Sequence, residues 1–319
     1  MTTAEIVGLA IFCIVIACGI IIAVLFLTGY LTYRDLCHRK ESTDKLEQSP
    51  YVGALGPNLR DFNDFRDDSY KALKGTSFTW ESITEDDDVR LFARFYKVDG
   101  SNKTVICLPG YLTSAVKCFS AFVPFYMEKG YNVLLVTARG HAESGGKYIT
   151  FGKKESQDLL CWINKVKEIV ENSEFLIHGI DVGANSALLV SGEVGNEVKG
   201  IISDSAFSKP WDVFVYQIKQ IYHLSPFPIL HIAEYFSKRF AKVGFGDSAV
   251  KAVANSAVPV LFVHGGKDMF VPYYMCNACY ESCSAPKQKF IVESAGHAQA
   301  IFNDTEGYKN AISQFIESL

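Results

Sequence analysis

Charge is missing from the start of this 319-residue chain: no acidic or basic side chain lies between Ile6 and Tyr33, a run dominated by Ile, Val, Leu, Ala and Phe. Such a run is long enough for a helix to span a bilayer with some tilt. A cleaved signal peptide fits poorly, since no basic segment precedes the run and no small-x-small cleavage site follows it. The nine cysteines show no paired framework, which argues against a small disulfide-stapled secreted domain. Cys276-x-x-Cys279, with Cys283 nearby, has zinc-like spacing. No second CxxC or His pair completes four ligands, so neither metal nor cofactor is expected. A net charge of −4 and the lack of a basic patch interleaved with aromatics exclude nucleic acid as a natural partner. Internal repeats and low-complexity tracts are absent as well.

What is present divides into three parts. Residues 1–33 read as a single transmembrane anchor. Arg34, Arg39 and Lys40 follow it closely while only Glu5 precedes it, so the positive-inside tendency places the following domain in the cytosol. Residues 34–74 read as a juxtamembrane linker, polar and aromatic without a clean period. Residues 75–319 are long enough for one large α/β domain.

That domain opens with alternation from Phe78 to Val98, which predicts an antiparallel hairpin turning at the acidic stretch Glu85–Asp88. Short apolar runs then alternate with helical spacing. Strands are expected in "TVICLPG", "YNVLLVTARG", "FLIHG", "VKGIISDSA", "VPVLFVHGGKD" and "QKFIVESAGH". Helices are expected at roughly 117–129, at 156–173, in "ANSALLVSGEV" and in the terminal "GYKNAISQFIESL". Buried strands alternating with helices mean βαβ units, hence a mostly parallel sheet with helices on both faces. Residues 208–255 break the alternation with aromatic-rich helices and the prolines of "SPFPIL", and read as a helical cap insertion over the sheet's C-terminal edge.

"HGIDVGANSA", His178 to Ala187, sits between an expected strand and an expected helix. Gly179 and Gly183 flank Asp181 in the frame of a nucleophile elbow, where a serine would be usual. Asp268 closes a later strand and His297 lies in the loop after the last. Nucleophile, acid, histidine, each past a strand's C-terminal end, is the order of α/β-hydrolases. Asp268 alone would read as a helix N-cap, and His297 alone as an exposed loop histidine.

From Phe78 onward the chain resembles bacterial membrane-anchored serine hydrolases of the α/β-hydrolase superfamily, which include esterase-like and peptidase-like members. The likeness runs through "ICLPGY", "GYNVLLVTARGHAESGGKYITFG", "GIDVGA", "VPVLFVHGGKDMFVP" and "SAGHAQAIFNDTEGYKNAISQFI". It implies an α/β-hydrolase fold, Asp268 and His297 as supporting acid and base, and the backbone N–H groups of Tyr111 and Val182 as an oxyanion hole. Pro109, Thr137, Ala142 and Asp181 depart from the pattern, standing for His, Asp, Gly and Ser.

Three meanings of Asp181 follow. An aspartate nucleophile, as in epoxide hydrolases and haloalkane dehalogenases, would attack an electrophilic carbon, and His297 would then activate water. Val182 stands where dehalogenases usually carry a tryptophan. Alternatively, the scaffold is a pseudoenzyme that binds a ligand or partner. In the plainest case, Asp181 merely satisfies turn donors and caps the helix that follows. Ser186 is a poor substitute nucleophile because it lies within that helix. The expected function is a membrane-anchored hydrolase acting on a small apolar ester-like or electrophilic-carbon molecule through Asp181, His297 and Asp268. The non-catalytic interaction module is the alternative.

Overall fold

The computed structural model describes residues 2–40 and 55–319, so residues 41–54 of the expected linker lie outside the described part. The described chain divides into two compact units, one of residues 1–38 with 214–244 and one of residues 39–213 with 245–319.

In the first unit, α1 (Thr3–Cys37) is a single 35-residue helix, long and apolar enough to cross a membrane. At 1.5 Å per residue it is about 52 Å long. Thr2 caps its N-terminus, its side chain accepting from Glu5 N–H while the Glu5 carboxylate accepts from Thr2 N–H.

In the second unit, eight strands form one sheet in the order β1-β2-β4-β3-β5-β6-β7-β8. They are β1 (Thr79–Thr84), β2 (Arg90–Tyr96), β3 (Lys103–Leu108), β4 (Asn132–Thr137), β5 (Glu174–Ile180), β6 (Val198–Asp204), β7 (Val260–Gly265) and β8 (Lys287–Val292). The expected hairpin is there, with Thr84 facing Arg90, and β2 also pairs antiparallel with β4. All remaining pairings are parallel.

Side chains alternate across this sheet as the pleat requires. Ile106, Leu134, Val136 and Phe262 enter one core cluster, with residues of α5 (Lys153–Ile169), α6 (Val182–Leu189), α9 (Ala249–Val253) and α10 (Tyr273–Ser282). Val105, Cys107, Val133, Leu135 and Val263 enter the other, with α3 (Ala115–Phe119), α4 (Val123–Glu128), α11 (Ala300–Asn303) and α12 (Thr305–Glu317). Helices therefore cover both faces, as the alternating sequence pattern implies. Cys276, Cys279 and Cys283 are buried in the first cluster, and burial pushes the Cys279 thiol up to about 12. They act as small apolar packing groups.

Two local expectations change. The single helix expected at 117–129 is two short ones, because Pro124 cannot donate within a helix and instead sits at the start of α4. The stretch expected as linker contains α2 (Leu59–Leu73), whose Phe62 and Leu73 are buried. Residues 208–255 hold α7 (Pro210–Gln220), α8 (Ile229–Phe240) and α9. Residues 214–220 of α7 and all of α8 belong to the first unit, where α8 packs on α1.

Candidate active site

The strand-to-helix turn at the end of β5 is tight because backbone passes backbone on both sides of it. A Cβ on Gly179 would lie 2.3 Å from the Gly183 carbonyl oxygen, and one on Gly183 would lie 2.1 Å from that of Leu108 on β3. Only glycine fits either place. Between them Asp181 adopts φ 54°, ψ −115°, a conformation that costs on the order of 1–3 kcal/mol and clusters at functional sites. Its N–H donates to the Asp204 carbonyl at the end of β6, and its own carbonyl accepts from Asn185 in α6.

The Asp181 side chain makes no capping bond to α6. Side-chain capping of α6 is therefore not what holds this residue, and its carboxylate serves a donor outside that helix. Oδ2 instead accepts from the N–H of Tyr111, 70 residues earlier, at 2.9 Å. Oδ1 lies 3.7 Å from His297 Nε2. The other ring nitrogen, Nδ1, is 2.8 Å from Asp268 Oδ2. The loops after β5, β7 and β8 thus bring Asp181, Asp268 and His297 together, all three buried. Val182 begins α6, so its N–H is one of those a helix leaves without an intrahelical partner.

Asp268 has two tasks. Its Oδ1 accepts from Phe270 N–H and Val271 N–H, organising the turn before α10, while Oδ2 faces the histidine. The loop-histidine account of His297 also fails, since its ring is buried and packs at 4.9 Å against Phe270. Burial alone would lower the His297 pKa. The Asp268 and Asp181 carboxylates outweigh it and hold the imidazole well above its ordinary value.

Several residues outside the expected set shape this arrangement. His141 Nδ1 is 2.9 Å from the Arg139 carbonyl, and its Nε2 accepts from Leu112 N–H, next to Tyr111. Burial lowers the His141 pKa, which keeps the ring neutral and able to accept. Arg139 is itself fixed by a two-pronged ion pair with buried Asp158. His264, also neutralised by burial, donates from Nε2 to the Val271 carbonyl and lies 3.3 Å from Asp268 Oδ2. The Ser186 hydroxyl is spent on the Val182 carbonyl.

Behind the turn runs a buried polar chain. Tyr126 OH lies 2.9 Å from His178 Nδ1, His178 Nε2 lies 3.0 Å from Tyr308 OH, and Tyr308 OH donates to Asp204 Oδ2. Burial drops the His178 pKa to about 3 and lifts that of Asp204 to about 6. A neutral His178 with the proton on Nε2 satisfies every link. Asp204 Oδ1 accepts from Ser205 Oγ, which accepts from Ala298 N–H beside His297. This chain joins the Asp181 turn to the His297 loop.

A mostly apolar cleft of about 990 Å³, including its open mouth, leads to Asp181 and His297. Its walls come from α2 and the residues before it (Leu55, Leu59, Phe62, Phe65), from Tyr111 to Thr113, and from Ile180, Phe270 and Ile301. Leu55 also accepts the backbone N–H of His297 through its carbonyl. Arg66 on α2 lines the cleft, with Nη2 donating to Thr113 Oγ1. Among the described residues, no cluster of three His, Cys, Asp or Glu side chains is arranged to hold a metal ion.

No protein-family model matches the chain. Among curated proteins it is similar to the uncharacterized protein YqkD of Bacillus subtilis, 28% identical over 69% of this chain and 73% of that one. It is also similar to the uncharacterized membrane protein YNL320W of Saccharomyces cerevisiae, 23% identical over 76% of this chain and 81% of that one. Among solved structures, the Pyrococcus furiosus esterase Pf2001 superposes with a TM-score of 0.65 at 26% identity, over 78% of this chain and 93% of the esterase. That likeness supports a hydrolase-type function. With strand order, crossovers and structural neighbours in agreement, the chain belongs to the α/β-hydrolase superfamily.

Proposed function

We propose that the protein is a single-pass, membrane-anchored hydrolase that attacks the electrophilic carbon of a small apolar substrate with Asp181, using His297 and Asp268 to complete turnover. The basic residues Arg34, Arg39 and Lys40 favour a cytosolic position for the hydrolase domain. The observation that carries the catalytic reading is the disposition of the Asp181 carboxylate. One oxygen rests on the Tyr111 N–H while the other faces the histidine, at the end of an apolar cleft.

In the first step a carboxylate oxygen of Asp181 forms a bond to the substrate carbon as the leaving group departs with its electron pair. The product is an alkyl ester on Asp181. Esterification removes one of the two negative charges that hold the proton on His297, so the imidazolium releases that proton and becomes a base. It then takes a proton from water, and the resulting hydroxide adds to the ester carbon. The charge that develops on the carbonyl oxygen falls where Tyr111 N–H, with Val182 N–H, can receive it. Collapse expels the alcohol and restores the carboxylate. For an organic halide the sum is halide plus water giving alcohol, halide ion and a proton.

Ordinary ester cleavage fits the same geometry poorly. Oδ2 already occupies the Tyr111 N–H that a substrate oxyanion would need, and acyl transfer to a carboxylate would produce an anhydride. That occupancy also favours the second reading, a scaffold in which Asp181 and His297 form a closed ion pair and the cleft only binds. One screen separates the two. Full-length wild type and Asp181→Ser are assayed against terminal epoxides, haloalkanes and p-nitrophenyl esters. The catalytic reading expects wild-type turnover of an epoxide or halide, lost in the variant. Activity confined to esters and to Asp181→Ser would instead mark Asp181 as the residue that silences the site.

A further inference from the structure

The first unit carries an apolar surface that its own packing leaves open. α8 runs alongside the C-terminal half of α1 in the same direction. Phe227 and Pro228 lie beside Ile22 and Leu25 at one end of a shared groove, and Phe240 stacks on Tyr33 at the other. Gly29 permits the close approach, since a Cβ there would come within 2.5 Å of Ile232 Cγ2. Phe236 fills the seam against Phe26 and Tyr30.

Charge along the insertion is segregated. From Ile221 to Ala233 no Asp, Glu, Lys or Arg occurs, whereas Glu234, Lys238 and Arg239 occupy the Phe240 end. Leu224 is 64% exposed and Phe227 70% exposed, at the charge-free end. Depth follows from the span. A bilayer core needs about 20 helical residues, and the charge-free run of α1 extends from Ile6 to Tyr33. Every window of that length within the run contains both Ile22 and Leu25. Groove partners of those two residues therefore lie at hydrocarbon depth.

Backbone chemistry permits it. Pro226 and Pro228 carry no N–H, their carbonyls accept from Leu230 and Ile232, and Leu224 N–H donates to the Ile218 carbonyl. These backbone groups leave lipid no unsatisfied donor, and the polar side chains of the tip, Tyr222, His223, Ser225 and His231, are the ones that must reach the headgroup region.

We infer that residues 221–233 dip into the bilayer beside α1, with lipid acyl chains covering Leu224 and Phe227, so that the insertion is a second membrane-embedded element. The inference rests on α1 spanning the membrane, and the test separates the two. Full-length protein in phosphatidylcholine vesicles would carry either Phe227→Trp or Phe12→Trp, both at exposed positions. Wild-type emission is subtracted, and quenching by brominated acyl chains is measured. The expected result is blue-shifted emission at both sites, with quenching at position 227 comparable to that at position 12. Quenching at 12 with red-shifted, unquenched emission at 227 would place the tip in water and overturn the inference. Blue-shifted but unquenched emission at 227 would mean burial against a second copy, which also overturns it. Absence of quenching at 12 would remove the spanning reading and the inference with it.

Discussion

Replacing Asp181 with Asn keeps the shape of the side chain and removes its charge. An amide oxygen can still accept from Tyr111 N–H, so the turn need not rearrange. His297 loses a carboxylate oxygen 3.7 Å from its Nε2. At an effective dielectric of about 20, two unit charges at that distance interact by about 4 kcal/mol. The pair is buried, so added salt screens it weakly. A factor of ten in an acid constant corresponds to about 1.4 kcal/mol. Even with two-thirds of the interaction lost to relaxation, His297 in Asp181→Asn should dissociate about tenfold more readily than in wild type. Histidine ring carbons labelled with carbon-13 in the detergent-solubilised full chain would report that titration by NMR. A change below about threefold would refute the reasoning, because esterification of Asp181 could not then turn His297 from acid to base. The variant thus mimics the electrostatic state of the covalent intermediate without any substrate.

Two further outcomes test the surrounding structure. Gly183→Ala should destabilise the protein by about 3 kcal/mol or more, as overpacking between two backbones does, with a clear fall in thermal midpoint; an unchanged midpoint would mean the turn is not as tight as described. His178 titrates near 3 when folded against 6.5 unfolded, so the unfolded chain binds its proton first and stability falls as pH drops from 6.5 towards 3. Asp204, raised to about 6 from 3.8, works the other way below pH 6 and is present in both proteins. The stability advantage of wild type over His178→Gln should therefore shrink by up to about 3 kcal/mol between pH 6.5 and pH 4; a constant difference in denaturant unfolding would contradict the neutral, buried histidine.

Legibility in the sequence followed the range of the interactions involved. The strand runs could be read because a strand buried on both faces is mostly apolar, as in β4 and β7, which are buried along their whole lengths. Asp181, Asp268 and His297 were expected together because each follows the C-terminal end of a strand in the same parallel sheet, so topology brings their loops to one edge. Helix α2 was hidden among polar residues, although Leu59, Phe62 and Phe65 stand at three-residue intervals that suit one helix face. Its role in walling the cleft depends on chain packing that no local pattern encodes. The same holds for Oδ2 of Asp181 finding the amide of Tyr111, and for the chain from Tyr126 through His178 and Tyr308 to Asp204, which draws on four elements of the fold.

The central claim is that Asp181 forms and releases a covalent ester. Single-turnover reaction of the full-length protein in heavy-oxygen water, with an epoxide or haloalkane it consumes, followed by mass spectrometry of the peptide containing Asp181, tests it directly. Hydrolysis at the ester carbon predicts one heavy oxygen retained in the Asp181 carboxylate and none in the released alcohol. Heavy oxygen in the alcohol, with Asp181 unlabelled, would show that water attacks the substrate directly and would contradict the account.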